Sequence, residues 1–268
     1  NEPSFLAFIQ DSHAPDPNPS DRPGRWVGES NWPTTSVKKQ ILWLGNNSLC
    51  TEPAKVGTTS LVKSPNSTGL CSGEYMPWSG TAELPHDQRT DDSKSVCFDS
   101  DFLDKPLELL GTSFLHLKIS SDKECGMICV RLCDLSPDGS STLISYGILN
   151  LRLRNGRECI ADVKANNLIN VTVRLNDTGW RLKKGHRLRL ALSTQMWPMA
   201  WPISEVAAIT VYMDSSRLEI PVRTPTDKEK CFTQLEHAEA ADAPPHTILR
   251  DPSGSRIILS LIHISEPT

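Results

Sequence analysis

From residue 114 onward the chain alternates between apolar and polar positions. In "FLHLKIS", Leu115, Leu117 and Ile119 fall on one side of an extended backbone, and Phe114, His116 and Lys118 on the other. "LNLRLR" repeats this with Leu149, Leu151 and Leu153 against Asn150, Arg152 and Arg154. "INVTVRL" opposes Ile169, Val171, Val173 and Leu175 to Asn170, Thr172 and Arg174. "RLRLALS" opposes Leu188, Leu190 and Leu192 to Arg187, Arg189 and Ala191. Ile209, Val211 and Met213, then Leu218, Ile220 and Val222, complete the series. A period of two with one apolar face is the pattern of half-buried antiparallel strands. Gly in "SPDGS" (136–140) and "KKGH" (183–186) supplies the positive φ that tight turns need, so each segment is expected to close a hairpin. At least seven such strands and no convincing long helix predict an all-β sandwich or jelly roll.

The same reasoning settles "ECGMICVRLCDL", where Cys125, Cys129 and Cys133 are spaced four apart. On a helix that spacing would stack three thiols on one face. Here Ile128, Val130 and Leu132 alternate with Cys129, Arg131 and Cys133, which reads as a strand. At about 3.3 Å per residue, neighbouring thiols would lie roughly 13 Å apart, too far to share one metal ion. They are expected to be small soft fillers of a sheet, and no metal is expected at them.

Outside the alternating region the chain changes character. "FLAFIQ" (5–10) and "KKQILWLG" (38–45) read as short strands. Between them lies a Pro-rich connector holding Trp26 and Trp32, two residues that need something to pack on. Residues 51–95 are rich in Ser, Thr, Gly and Pro, read as loop, and are expected to wrap over a surface or a partner domain. "CFTQLEHAEAADA" (231–243) is the one helical-looking stretch, ended by Pro244 and Pro245. The last residues, "SLIHISEPT", resemble adaptor-derived sequence and carry no functional weight.

Composition narrows the function classes. The 268 residues carry a net charge of -4, so no global field draws the chain to nucleic acid or to an anionic membrane. No apolar run approaches the roughly 18 residues of a bilayer span, and no signal peptide opens the chain. Eight irregularly spaced Cys read as mostly reduced thiols of a cytoplasmic protein, which leaves the sequons at Asn46, Asn66, Asn170 and Asn176 without meaning.

Four stretches, taken in order, resemble one family. They are "QDSHAPDPNPSDRPGRWVGESNWP", "VCFDSDFLDKPLELLGTSFLHLKISSD", "VRLCDLSPDGSSTLISYGILNLRLR" and "LNDTGWRLKKGHRLRLALSTQMWPMAWP". Together they are similar to the C-terminal part of the Xaa-Pro dipeptidyl-peptidase and cocaine-esterase-like (CocE/NonD) serine hydrolases. The resemblance implies a jelly-roll β-sandwich of galactose-binding-like type, preceded by a remnant strand and connector of an α/β-hydrolase domain. It divides the chain into a junction over residues 1–36, a jelly roll over 37–225 and a tail over 226–268. It also implies a parent enzyme working by acyl transfer on peptide, ester or amide bonds, with its nucleophile on a G-x-S-x-G elbow. No such elbow occurs here: "GLCSG" (69–73) has its Ser in the wrong place, and His13 lies beyond the point where the family's catalytic His has passed.

The expectation is therefore a fragment with no catalytic residue of its own, no cofactor and no metal. Its expected partners are the missing hydrolase domain of its parent chain and further copies of itself, with no nucleic acid and no membrane. Trp26, Trp32, Trp197 and Trp201 are the candidate residues for a substrate rim or an interdomain contact. The strand at 5–10 is expected to belong to the absent hydrolase sheet, leaving an unpaired edge and exposed apolar area in this chain. Three further features carry less. The basic "RLKKGHRLRL" reads as a solvated hairpin, and His186 within it as structural. "DSDFLD" (Asp99, Asp101, Asp104) fails the calcium-loop pattern. The alternative function is a free-standing carbohydrate-binding jelly-roll module that uses exposed Trp as stacking platforms.

Overall fold

The computed structural model describes residues 3–74 and 83–225. The expected helix at 231–243 and the tail at 226–268 lie outside the described residues. Among those described, fifteen strands form two sheets. In chain order they are β1 (Phe5–Asp11), β2 (Gly24–Glu29), β3 (Val37–Leu44), β4 (Leu49–Cys50), β5 (Thr59–Val62), β6 (Val96–Asp99), β7 (Leu107–Gly111) and β8 (Phe114–Ser121). There follow β9 (Met127–Leu135), β10 (Ser141–Asn150), β11 (Ile169–Arg174), β12 (Thr178–Leu182), β13 (Arg187–Ser193), β14 (Ile209–Tyr212) and β15 (Arg217–Arg223).

The larger sheet has eleven strands and runs β2-β1-β12-β7-β15-β8-β14-β5, with β11 beside β8 and β3 beside β15 and β4. The smaller runs β10-β9-β13-β6. The leucine ladders meet between them. Leu115, Leu117 and Ile119 of the large sheet share one buried cluster with Ile128, Val130, Leu132, Leu188, Leu190 and Leu192 of the small one. The alternation read from the sequence is thus the inward face of each layer, as the packing of two sheets about 10 Å apart requires.

The outward face of the small sheet is not left to solvent. All nine residues of β9 are buried, Cys129 and Cys133 completely. Residues 87–95, which include a short helical turn at Arg89–Asp92, lie over it. Arg131 is 1% exposed there; its guanidinium donates to Gln88 Oε1 (2.9 Å) and Ser95 Oγ (3.0 Å) and lies 3.0 Å from Asp92 Oδ1. Arg189 makes a forked pair with Asp99 (2.7 and 2.8 Å) and reaches Asp92 at 3.1 Å. Arg131 and Asp92 are buried ions that stay tolerable only while every partner is present.

Four expectations need correcting. "LNLRLR" is not one strand: β10 ends at Asn150, whose side chain accepts from the Arg152 amide and starts a single 3₁₀ turn at Leu151–Leu153. "KKGH" does not close a hairpin. Its Gly185 has the expected positive φ, but β12 pairs with β1 and β7 whereas β13 pairs with β9 and β6, so the turn arches from one sheet to the other. Residues 51–95 are not wholly loop, since β5 pairs with β14 through Ile209 and Val62. Finally, β1 is not a stray strand: it is joined to strands of this chain on both sides, along one edge and at the end of the other. It runs antiparallel to β2 over six residue pairs and parallel to β12 through Gln10↔Trp180 and Asp11↔Arg181. Gly179 permits that approach, because a Cβ there would sit 2.5 Å from the Phe8 carbonyl oxygen. β1 and β2 therefore share the sheet of the strands that follow residue 37, and β2 stands at its edge.

The two networks of the small sheet set a stability test. Asp92→Ala removes the shared carboxylate of Arg131 and Arg189 and should cost about 3–5 kcal/mol in urea unfolding. Asp101→Ala, at an exposed position, should change stability by less than about 0.5 kcal/mol.

Candidate domain-docking surface

Strands β1 and β2 form a two-stranded ribbon whose two faces differ. Cross-strand pairs share a face. Phe8 stands opposite Trp26 and Leu6 opposite Gly28, while Ala7 opposes Val27 and Phe5 opposes Glu29. The Ile9/Val27 side packs down on Leu110 of β7, with Phe5, Ala7 and Val37 around it. The other side carries Leu6, 37% exposed, and Trp26, 39% exposed, with the Trp26 ring edge-on to Phe8 at 5.5 Å. Gly28, opposite Leu6, brings no side chain to that face.

Trp32 belongs to the opposite side of the same ribbon. It stacks on Phe5 at 4.4 Å and remains half-exposed. Grooves of about 180 and 450 Å³ flank it, both floored by Leu110 and Gly111. Trp197 and Trp201 form a separate pair, edge-to-face at 5.3 Å, on the segment after β13. The Trp197 amide donates to the Thr68 carbonyl (2.8 Å), and the adjacent Met196 is buried with Met127 and Cys129. Trp201 is 70% exposed. The structure thus brings Trp197 and Trp201 together and sets Trp26 and Trp32 apart, on opposite faces of the ribbon.

A charged network, unforeseen in the sequence, fixes the ribbon and the connector to the sheet. Arg223 of β15, fully buried, donates to Glu29 (2.8 Å) and to Glu108 (2.6 Å). Arg25 donates to the other oxygen of Glu108 (2.6 Å). Thr34 and Ser36 of the connector donate to Glu29 at 2.7 and 2.8 Å. Burial pushes the Glu29 carboxyl upward, but the bonds from Thr34, Ser36 and Arg223 outweigh it and hold the group below its usual range. Arg25 and Glu29 could have been noted as charges on a strand, but their partners lie 83 and 194 residues away.

A hydroxyl, an imidazole and a carboxylate also converge, around Asp134. This carboxylate is 2% exposed and accepts from Ser12 Oγ, Trp180 Nε1 (3.0 Å) and His186 Nδ1 (2.6 Å). The connectivity is wrong for nucleophilic catalysis. A triad needs the imidazole between hydroxyl and carboxylate, so that it can take the hydroxyl proton. Here the carboxylate lies between the other two, and Ser12 is 2% exposed. It is a structural hub, which agrees with the structural reading of His186.

The remaining sequence features are accounted for by packing. Asp99 is consumed by Arg187 and Arg189, while Asp101 and Asp104 are exposed. Lys183 and Lys184 are exposed on the arch. Among the described residues no group of three His, Cys, Asp or Glu is arranged to hold a metal ion, and no helix is long and apolar enough to cross a membrane.

Fold and site together define an all-β sandwich domain that exposes aromatic patches and whose Ser12–Asp134–His186 cluster is not a catalytic relay. The family model for the X-Pro dipeptidyl-peptidase C-terminal non-catalytic domain matches residues 1–250, and the chain belongs to that family. Cocaine esterase from Rhodococcus sp. (strain MB1 Bresler) is 24% identical over 186 residues, covering 65% of this chain and 32% of the esterase. Among solved structures, an aminopeptidase from a marine sediment Thaumarchaeota archaeon aligns with TM-score 0.64 at 17% identity, over 75% of this chain and 39% of the other. An alpha-amino acid ester hydrolase aligns with TM-score 0.62 at 19% identity, over 74% and 39% respectively. At these identities the structural likeness carries the fold. The chain spans between about a third and two fifths of the length of these relatives. It is a non-catalytic C-terminal domain of the kind carried by CocE/NonD-type hydrolases.

Two outcomes are expected. A fluorophosphonate probe should leave Ser12 unlabelled in the folded chain; labelling at that residue would show a reactive nucleophile where the geometry places none. In Glu29→Gln, acid unfolding should shift. A carboxyl held low when folded contributes stability that is full above its unfolded value, near pH 4.3, and is lost as pH falls through the folded value. The variant should therefore be less stable at neutral pH and show a flatter stability–pH curve below about pH 4.

Proposed function

We propose that this chain is the C-terminal scaffold of a serine hydrolase and docks on an α/β-hydrolase catalytic domain of the same parent polypeptide. The docking face is the Leu6/Phe8/Trp26 side of the β1–β2 ribbon. The observation that carries this reading is an apolar, aromatic ribbon face held rigidly from behind yet left open to solvent. In this reading residues 1–36 are the junction that bears the contact and residues 37–225 the sandwich that supports it. Trp32 adds a second aromatic contact beside its two grooves, and Trp197 with Trp201 contributes to the active-site rim.

The names of the relatives support peptide, ester or amide bonds as the parent's targets. The chemistry would be acyl transfer, with serine attack, a histidine base and an oxyanion hole supplied by the catalytic domain. A cytoplasmic location is part of the same proposal. It is supported by seven free cysteines among the described residues, of which Cys97 is pushed up to about 11 by burial and the nearby Asp92. Homo-oligomers remain within the proposal as a second kind of partner.

The test is a comparison of dye binding and domain association. The isolated chain should bind a dye specific for exposed apolar surface, and Leu6→Ser/Trp26→Ser should bind markedly less. In the parent hydrolase, Trp26→Ala should weaken interdomain association by about 2 kcal/mol, the scale of a central aromatic anchor. Unchanged dye binding and association would overturn the reading. Saturable tryptophan quenching by glycans would favour the carbohydrate-binding module instead.

A further inference from the structure

The ribbon's backbone attachment to the rest of the large sheet is slight. Only Gln10↔Trp180 and Asp11↔Arg181 join β1 to β12, and both pairs adjoin Ser12. The backbone attachment is thus confined to this end of the ribbon, where the side-chain hub at Asp134 adds to it. Asp134 lies on β9 of the small sheet, Trp180 on β12 of the large sheet and His186 on the arch between β12 and β13. Ser12 directly follows β1. Besides donating to Asp134, Ser12 Oγ accepts from the Lys183 amide at 3.1 Å, and the Ser12 amide donates to the Arg181 carbonyl at 3.0 Å. The next residue is tied in as well: the Thr142 hydroxyl of β10 donates to the His13 carbonyl at 3.0 Å, and the His13 ring lies 5.0 Å from that of Trp180.

A single buried carboxylate therefore joins both sheets, the arch and the end of the ribbon. Trp180 and His186 would occupy it without Ser12, since both already belong to the sandwich. The Ser12 bond is what adds the ribbon. We infer that Asp134 is a positioning residue for the docking surface: through Ser12 it clamps the end of β1 and so sets where Leu6, Phe8 and Trp26 are presented. This rests on the docking reading only for its functional consequence, since the clamp is a property of this chain alone. The charged network of Glu29, Glu108 and Arg223 holds the ribbon from its other strand and is the natural control.

Hydrogen exchange on the folded chain tests it. In Ser12→Ala, the hub keeps Trp180 and His186, so the sandwich should remain folded. Amides of β1 and β2 should exchange at least about tenfold faster, the factor given by losing about 1.4 kcal/mol of a hydrogen bond to a charged group. Amides of β9 and β13 should be unchanged. Asp134→Asn keeps an acceptor for Ser12 and should show a smaller effect at the ribbon. Unchanged ribbon exchange in Ser12→Ala, or equal acceleration in β9 and β13, would overturn the clamp. In the parent hydrolase, Ser12→Ala should also weaken interdomain association. If the ribbon loosens but association is unaffected by either Ser12→Ala or Trp26→Ala, the clamp stands and the docking reading falls.

Discussion

The structure depends on β9 being buried on both faces. Nine consecutive buried residues need two different solutions at once. On the inner face, Ile128, Val130 and Leu132 meet the leucines of the opposing sheet, and burial of apolar area at about 25 cal/mol per Å² is the gain. On the outer face, Arg131 lies between two cysteines and must be neutralised without water. The segment over residues 87–95 supplies Gln88, Asp92 and Ser95 for that purpose. The same Asp92 then serves Arg189 of β13, so the covering segment also helps hold the sheet.

The large sheet meets a similar demand with different chemistry. Its outer face is partly covered by the β1–β2 ribbon, through Ile9, Val27 and Leu110, and the cover is locked by the chain Arg25–Glu108–Arg223–Glu29. Buried ion pairs add little net stability, but breaking one is costly, so they favour a single arrangement over near alternatives. A ribbon locked on one side and open on the other suits docking. Its exposed rings lose little conformational freedom when covered, because the packed side has already fixed the backbone.

That division of labour fits a domain whose family is non-catalytic. The tertiary structure provides rigid support and aromatic patches, and the buried polar clusters are occupied with holding layers together. Asp134 shows the point. Its neighbours have the residue types of a serine hydrolase, but a carboxylate placed between hydroxyl and imidazole leaves the hydroxyl proton with no base to receive it.

Local alternation was enough to place most strands, because a side-chain period of two is a property of the backbone and needs no partner. The strand reading of Cys129 and Cys133 followed in the same way, whereas Cys125 lies just before β9. What alternation could not convey was which strand lies beside which. Gly185 marks a turn equally well in a hairpin and in an arch, and only the prior claims of β7, β1, β9 and β6 on the neighbouring edges make it an arch. Nor could it show that Leu151 leaves its strand, a choice made by the Asn150 side chain. The pairing of Arg223 with Glu29 spans 194 residues, and the meeting of Ser12 with Asp134 spans 122. Such contacts exist only after distant strands have been assembled into the tertiary structure, since no short-range rule of spacing or propensity refers to them.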